Sequence, residues 1–231
     1  KSEHFFDQSF YNTLIKSPLE FTFSIYKEFD LFNGELRVWI QEENKEYYYS
    51  DGERPDLFPQ KLVDEISRSY FFFSNLYWNI GDQGLRLFEP PSVSGWPAYY
   101  QAPVYDLFWV NSVTVKKRKQ TSESATRWGV WLENGVHIRF NLKNYLDTFK
   151  SPNNLEALLT EMQDRFLGAP IPERAKSRIK SSVLGDKNDQ YWNQLVDAYL
   201  VDPTSDNRNQ LNWRLEQLLY QFFELAEIHL M

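Results

Sequence analysis

Apolar residues recur at helical spacing through the last third of the chain. One stripe follows residues 155–166 and another follows residues 211–225, with an apolar side chain every three or four positions. This spacing places the apolar side chains on one face of an α-helix, whereas a half-buried strand would alternate. A helix opened by Pro172 and a further stripe over residues 192–200 lie between them. The pattern predicts a mainly α fold built as a multi-helix bundle.

Two more helices are predicted nearer the start of the chain. Ser17 has the chemistry of an N-cap, Pro18 suits the first helical position, and Glu20 completes a capping box. A second stripe begins after Pro59 and ends before Gly81. Its members are Leu62, Val63, Ile66, Tyr70, Phe73, Tyr77 and Ile80. We expect these side chains to form the buried face of their helix.

Two segments have β-prone sequences. Residues 128–140 hold two short apolar runs around Asn134-Gly135, and this pair tolerates the positive φ values of a tight turn. The segment predicts one small β-hairpin at about 128–140. Residues 30–58 are rich in turn residues but include β-prone runs, so a hairpin and a loop both stay open for this stretch. We interpret it as a surface insertion.

A long loop rich in proline, glycine and aromatic residues is predicted at about 82–103. Neither helical nor strand spacing fits this stretch, and loops of such length are usually functional or structurally specialised. Prolines lower the entropy of the unfolded chain, and glycine permits close backbone approach. The candidate structural residues of the loop are Pro90, Pro91, Gly95 and Pro97.

Composition excludes several classes of protein. The 231 residues include no Cys, which excludes a disulfide scaffold and a thiolate nucleophile. The three histidines, His4, His137 and His229, share no metal-ligand spacing, so we predict neither a metal nor a cofactor. The net charge of −7 argues against a nucleic-acid partner, and no apolar run is long enough for a membrane span.

A basic cluster occupies residues 116–119, which read KKRK. Cations near a helix C-terminus complement the helix dipole, and the chain as a whole is acidic. We therefore expect a solvated face here and no nucleic-acid site.

One carboxylate and several aromatic residues stand out around the predicted loop. Enclosed by aromatic rings, Glu89 would suit a general acid for glycoside hydrolysis; otherwise it pairs with a cation such as Arg86 or caps a helix end. No nucleophile motif or phosphate loop accompanies it, so we favour the second interpretation and a protein without catalytic activity. The candidate binding residues are Trp96, Tyr99, Tyr100, Gln101, Trp109 and Asn111.

Four motifs are distinctive: LFEPPSVSGWP at residues 87–97, WVNS at 109–112, KSPLEF at 16–21 and LAEIHLM at 225–231. Together they resemble the bacterial family catalogued as domain of unknown function 1800. The resemblance runs from end to end of this chain and corresponds to the C-terminal portion of a family member. Residues 82–84, which read DQG, depart from the Gly-Gln step of the family, and residues 30–58 are longer than its usual linker.

The resemblance implies a mostly helical, exported protein of the periplasm or cell envelope, often encoded beside a sulfatase-like partner. It implies no activity. We expect residues 1–231 to form a single helical domain, the C-terminal part of a longer protein whose N-terminal region is one partner.

Three functional interpretations follow from the residues and the resemblance together. The leading one is a non-catalytic cell-envelope module that binds a protein or a glycan through an aromatic loop at residues 88–111. One alternative is part of an envelope enzyme that acts on polysaccharide with Glu89 as general acid. The other is a purely structural helical module.

Overall fold

The computed structural model describes residues 15–42, 45–50, 56, 65–89, 109–133, 135–168 and 170–230. These residues are mainly helical and include a small antiparallel sheet, which confirms the predicted fold class. The chain forms two compact units, one of residues Ser17–Asn141 and one of Leu142–Met231 with Lys1–Lys16. The single-domain interpretation stays a prediction, as does the longer parent protein.

The first unit begins with α1 (Pro18–Glu28), and its start is the predicted one. The backbone N–H of Glu20 donates to Ser17 Oγ at 3.2 Å, and the backbone N–H of Ser17 donates to Glu20 Oε2 at 2.8 Å. This reciprocal pair satisfies two backbone donors that the first helical turn leaves without partners. The buried face of α1 carries Phe21 and Ile25, which are 1% and 0% exposed.

A four-stranded antiparallel sheet follows, with strand order β2-β1-β4-β3. Its strands are β1 (Glu35–Glu42), β2 (Lys45–Ser50), β3 (Val130–Glu133) and β4 (Val136–Arg139). The predicted hairpin at 128–140 is confirmed as β3 and β4, and the stretch 30–58 contains a hairpin rather than only a loop. The pairing of β1 with β4 joins the two hairpins. One face of the sheet is buried and carries Leu36, Val38, Val130, Val136 and Ile138.

Helix α2 (Glu65–Asp82) is present, but its buried face differs from the predicted stripe. Tyr70 and Phe73 are 71% and 53% exposed, whereas Phe72 and Leu76, which are not in the predicted stripe, are buried. Ile80 is buried as predicted, and Leu62 and Val63 lie outside the described residues. The helix carries aromatic residues on several of its sides, so apolar spacing alone does not predict which face packs. The buried side is also the side on which a polar side chain of α2, Asn79, donates a hydrogen bond to the Tyr26 hydroxyl.

Helix α3 (Ser112–Glu123) ends in a π-helical turn (Ser124–Trp128) that leads into β3. The second unit contains α4 (Leu142–Asp147), α5 (Leu155–Phe166), α6 (Glu173–Leu184), α7 (Asp189–Val201) and α8 (Ser205–Phe223). The predicted stripes of α5 and α8 are buried, which confirms them. None of the described helices is both long and apolar enough to cross a bilayer.

Candidate functional site

Of the residues singled out in the aromatic loop 88–111, the structure describes Phe88, Glu89, Trp109 and Asn111. The remaining candidate residues, and most of the predicted loop 82–103, lie outside the described residues. They are Pro90, Pro91, Gly95, Trp96, Pro97, Tyr99, Tyr100 and Gln101. The roles predicted for them stay predictions.

Glu89 lies in a polar, open environment. Its side chain is 56% exposed and contacts the guanidinium of Arg86 at 3.3 Å. The hydroxyl of Tyr77 donates to Glu89 Oε1 at 3.2 Å, and partial desolvation together with this hydrogen bond raises the pKa of the Tyr77 phenol. The pairing with Arg86 is the one expected of a non-catalytic carboxylate. A proton-donating carboxyl in a glycosidase lies in an apolar enclosure, and of the rings predicted to enclose Glu89 only Trp109 is among the described residues.

Trp109 and Asn111 both form hydrogen bonds at the start of α3. Trp109 is 4% exposed, and its backbone carbonyl accepts a hydrogen bond from the Thr114 hydroxyl at 3.0 Å. Asn111 is the N-cap, and its side-chain oxygen accepts from the backbone N–H groups of Val113 and Thr114. Their described contacts therefore hold the helix start, and the binding role predicted for the two residues stays a prediction.

Phe88 has the most unusual backbone of the described loop residues. Its φ is +67°, in the left-handed region that bulky side chains rarely adopt, and its side chain is 96% exposed. An aromatic residue in this region carries about 1–3 kcal/mol of backbone strain, and such strain concentrates at functional sites. The next residue, Glu89, is the one that Tyr77 holds, so Phe88 lies close to α2.

The outer side of α2 forms an aromatic face, which we define as Tyr70, Phe73, Tyr77 and Trp78. At about 100° per residue these four positions occupy less than half of the helix circumference. Trp78 is 65% exposed, in addition to the exposed Tyr70 and Phe73. Large aromatic residues gathered on one exposed surface indicate an interaction site more often than isolated ones do.

The inner side of α2 holds a buried polar network that the sequence did not reveal. Gln83 is fully buried, and its side-chain amide donates to the hydroxyls of Thr22 at 2.8 Å and Thr121 at 3.1 Å. One turn earlier, Asn79 donates to the hydroxyl of Tyr26 at 3.0 Å. Gln83 therefore joins α1, α2 and α3 through one side chain, in the segment that departs from the Gly-Gln step of the resembled family.

The basic cluster at 116–119 is not a solvated face throughout. Arg118 is 0% exposed, and its guanidinium lies 5.0 Å from the ring centroid of Phe21 on α1. Burial lowers the pKa of Arg118 to about 10, partly offset by the charge of Glu20. Lys117 does face solvent and pairs with Asp82 at 2.8 Å. The expectation was thus wrong for Arg118, because a long side chain on the inner face of α3 packs into the unit.

A second surface lies on the face of the sheet opposite its apolar side. Residues directly opposite one another in the sheet share a face, and Arg37 on β1 is opposite His137 on β4, which is opposite Trp131 on β3. Glu35 and Arg139 form the neighbouring pair on the same face. We call these five residues the basic sheet face: Glu35, Arg37, Trp131, His137 and Arg139. The prediction treated His137 as an isolated histidine, because the pairing of β1 with β4 is not visible in the sequence.

His137 is enclosed within the basic sheet face. It is 1% exposed, and the ring of Trp131 covers it with a centroid separation of 4.9 Å. Burial lowers the pKa of His137 to about 4, with further lowering by the charges of Arg139 and Arg37 and an opposing effect of the hydrogen bond to the Gly135 backbone. The histidine is therefore neutral at physiological pH.

We expect the protein to lose stability as the pH falls from 6.5 to 4. The unfolded chain binds a proton at His137 near pH 6.5 but the folded chain binds it only near pH 4, so protons favour unfolding in this window. The full loss is about 3 kcal/mol in the free energy of unfolding, reached below pH 4. Denaturant unfolding at several pH values measures it. His137→Gln is expected to flatten the curve between pH 6.5 and 4; a slope equal to that of the wild type would contradict the assignment.

The described residues contain no group of three or more His, Asp or Glu side chains arranged to hold a metal ion.

A protein-family model described as "Protein of unknown function (DUF1800)" matches residues 1–207 of the chain. No curated protein and no solved structure matches it.

Proposed function

The chain belongs to the DUF1800 family, and from that premise we propose that it is a non-catalytic binding module of the bacterial cell envelope. The partner we propose is a glycan, bound by the aromatic face of α2 together with the aromatic loop predicted at residues 88–111. The observation that carries the proposal is the exposure of Tyr70, Phe73 and Trp78 on one side of a single helix, beside the strained and exposed Phe88.

The geometry of the aromatic face suits an extended polymer of rings. Residues one turn apart on a helix are separated by about 5.4 Å along its axis, which is on the scale of one monosaccharide. Planar aromatic side chains offer large apolar surfaces at a low entropic cost, and Tyr and Trp add a polar group at the ring edge. Within the face the rings of Tyr77 and Trp78 meet edge to face, and Phe73 meets the buried Phe72 in the same way.

Two observations favour binding over the alternatives. The Glu89 carboxylate is exposed and ion-paired, which disfavours its role as the general acid of an envelope enzyme. A purely structural module would bury its aromatic side chains against its own helices, as Trp109 is buried, yet Phe88 and Tyr70 are among the most exposed apolar residues in the described part of the chain.

The envelope location is part of the proposal and follows from the resemblance to an exported family. This location determines the choice of test ligands, which are polymers found outside the cytoplasm. Cell fractionation of a bacterium expressing the full-length protein tests the location separately.

Sedimentation with insoluble polysaccharides tests the binding function. The ligands are purified peptidoglycan, cellulose and cross-linked polygalacturonate, and the protein is expected to bind at least one of them saturably. The triple variant Tyr70→Ala/Phe73→Ala/Trp78→Ala is expected to lose at least tenfold in affinity, because each stacked ring contributes about 0.5–1.5 kcal/mol. The matched control is Trp213→Ala, which removes a tryptophan that is 51% exposed in the other unit.

The outcomes separate the three functions. Binding lost in the triple variant and kept in Trp213→Ala supports the proposal. No binding to any of the three polymers, or equal binding by the triple variant, contradicts it. Release of reducing sugar ends by the wild-type protein that disappears in Glu89→Gln would replace it with the enzyme interpretation.

A further inference from the structure

The charged residues beside the aromatic face of α2 are paired with one another or with α3. From Tyr70 to Glu89 the chain contains three charged residues, Asp82, Arg86 and Glu89. Asp82 pairs with Lys117 of α3 at 2.8 Å, and Arg86 pairs with Glu89 at 3.3 Å. Each charge that this stretch contributes is therefore compensated by an opposite one.

The phenol of Tyr77 joins the aromatic face to the Arg86–Glu89 pair. Its hydroxyl donates to Glu89 Oε1 at 3.2 Å. Partial desolvation, this hydrogen bond and the charge of Glu89 raise the pKa of the Tyr77 phenol, so the phenol is protonated and uncharged at physiological pH. A ring of the face and an ion pair therefore lie within one hydrogen bond of each other.

The Arg86–Glu89 pair keeps most of its hydrogen-bonding groups available to a ligand. The two side chains are 69% and 56% exposed. A carboxylate accepts up to about four hydrogen bonds and a guanidinium donates up to about five, and the contacts in the described part of the chain use two and one of these. Both contacts are also longer than a tight charge-assisted hydrogen bond, which is about 2.5–2.9 Å. Hydroxyl groups of a ligand can therefore be added to the pair without breaking it.

This combination of groups matches the chemistry of an uncharged sugar. A sugar hydroxyl both donates and accepts, so a carboxylate can accept from one hydroxyl while a guanidinium donates to the next. Aromatic rings cover the apolar side of the sugar. An acidic sugar would instead bring its own carboxylate to Glu89, and the net charge of −7 adds to that repulsion.

We propose that the aromatic face binds an uncharged glycan, and that Arg86 and Glu89 determine this specificity by holding neighbouring hydroxyl groups of one sugar. This inference rests on the proposed function, since it names the class of glycan that the same face binds. It gives the exposed ion pair a role in recognition, whereas the rings of the face provide the apolar contact area.

The test uses soluble oligomers of equal length: cellohexaose and chitohexaose, which are uncharged, and hexagalacturonate, which is acidic. Calorimetric titration of the wild-type protein is expected to show at least tenfold tighter binding of one or both uncharged oligomers, which is the scale of one charge-assisted hydrogen bond. Raising the salt concentration is expected to narrow the difference, because salt screens the repulsion of the acid. The comparison needs no variant, so a folding defect cannot obscure it.

Variants then locate the specificity. Glu89→Gln is expected to weaken binding of the uncharged oligomer at least fivefold and to narrow the preference, because it removes both a charged acceptor and the repulsion of the acid. Arg86→Gln is expected to weaken binding as well but to widen the preference, because it leaves the Glu89 charge uncompensated. Exposed ion pairs contribute little to stability, and circular dichroism confirms that both variants are folded.

Asp147→Asn is the matched control for Glu89→Gln. Asp147 lies in the other unit, and its side chain is 49% exposed and ion-paired to Lys143. The control removes a carboxylate of similar exposure and is expected to leave both affinities unchanged.

Several outcomes would overturn the inference. They are equal or tighter binding of hexagalacturonate, no binding of either uncharged oligomer, or an unchanged affinity in folded Glu89→Gln. If polygalacturonate or peptidoglycan still binds in the sedimentation test and the triple variant loses that binding, the proposed function stands and only the class of glycan is wrong. Absence of binding to every polymer, by contrast, refutes the function itself.

Discussion

Replacing Gly129 by valine is expected to lower the free energy of unfolding by about 4 kcal/mol. Gly129 has φ +86° and ψ 161°, a region that is essentially confined to glycine, so any side chain there costs about 1–3 kcal/mol. A Cβ atom would also lie 2.5 Å from His137 Cδ2 and 2.9 Å from the Ile138 carbonyl oxygen. Overpacking of this kind costs a further ~1–3 kcal/mol. Denaturant unfolding of the purified variant measures the sum.

A glycine in ordinary helical surroundings provides the control. Gly81 lies near the end of α2, and the nearest atom to a Cβ built there is Arg86 Cγ at 3.8 Å. Gly81→Ala is expected to leave stability unchanged or to raise it by up to about 1 kcal/mol, because alanine favours the helix. If Gly129→Val unfolds at the same denaturant concentration as the wild type, the geometry described for the start of β3 is wrong.

Replacing Trp192 by alanine is expected to cost about 4 kcal/mol in the second unit. Trp192 on α7 is 0% exposed and is among the largest fully buried side chains of the described residues. Its indole N–H donates to the Pro152 carbonyl oxygen at 2.9 Å, so the substitution opens a cavity and leaves a carbonyl without its donor. Truncation of a buried tryptophan costs about 3–5 kcal/mol. The melting temperature and the denaturation midpoint both measure the loss.

The exposed Trp213 on α8 is the matched control for this truncation. Its ring contacts water and the guanidinium of Arg214, whose centre lies 4.5 Å from the ring centroid. Trp213→Ala is expected to change stability by no more than about 1 kcal/mol, the scale of an exposed cation–π contact. Comparable losses in the two variants would mean that Trp192 is not enclosed as described.

Much of the helical architecture follows from local sequence signals. The capping box at Ser17 and Glu20 and the apolar stripes of α5 and α8 each depend on residues close together in the chain. The sequence predicts helix α2 but not the face that packs, because aromatic residues occur on several sides of this helix. Directly after the helix, the buried Gln83 donates to Thr22 and Thr121, which are distant in the sequence.

In the candidate site, too, contacts between residues close in the sequence could be predicted and contacts between distant strands could not. Pairing of Glu89 with Arg86 was foreseen, since the two residues are three positions apart and their side chains meet readily. The basic sheet face was not, because Arg37 and His137 become neighbours only through the pairing of β1 with β4. Alternation within each strand shows which residues share a face, but the partner strand is set by tertiary packing.

That same pairing has a consequence for how the chain emerges from the ribosome. Glu35 meets Arg139, about 100 residues later, so β1 must wait for β4 before the two hairpins can join. At roughly 5–20 residues per second the delay is on the order of 5–20 s, during which the apolar side chains of β1 lack their partners. Closing so long a loop also slows sheet formation in refolding. Nascent chains of this family member therefore expose an aggregation-prone strand early, and chaperone demand during synthesis should centre on residues 35–42.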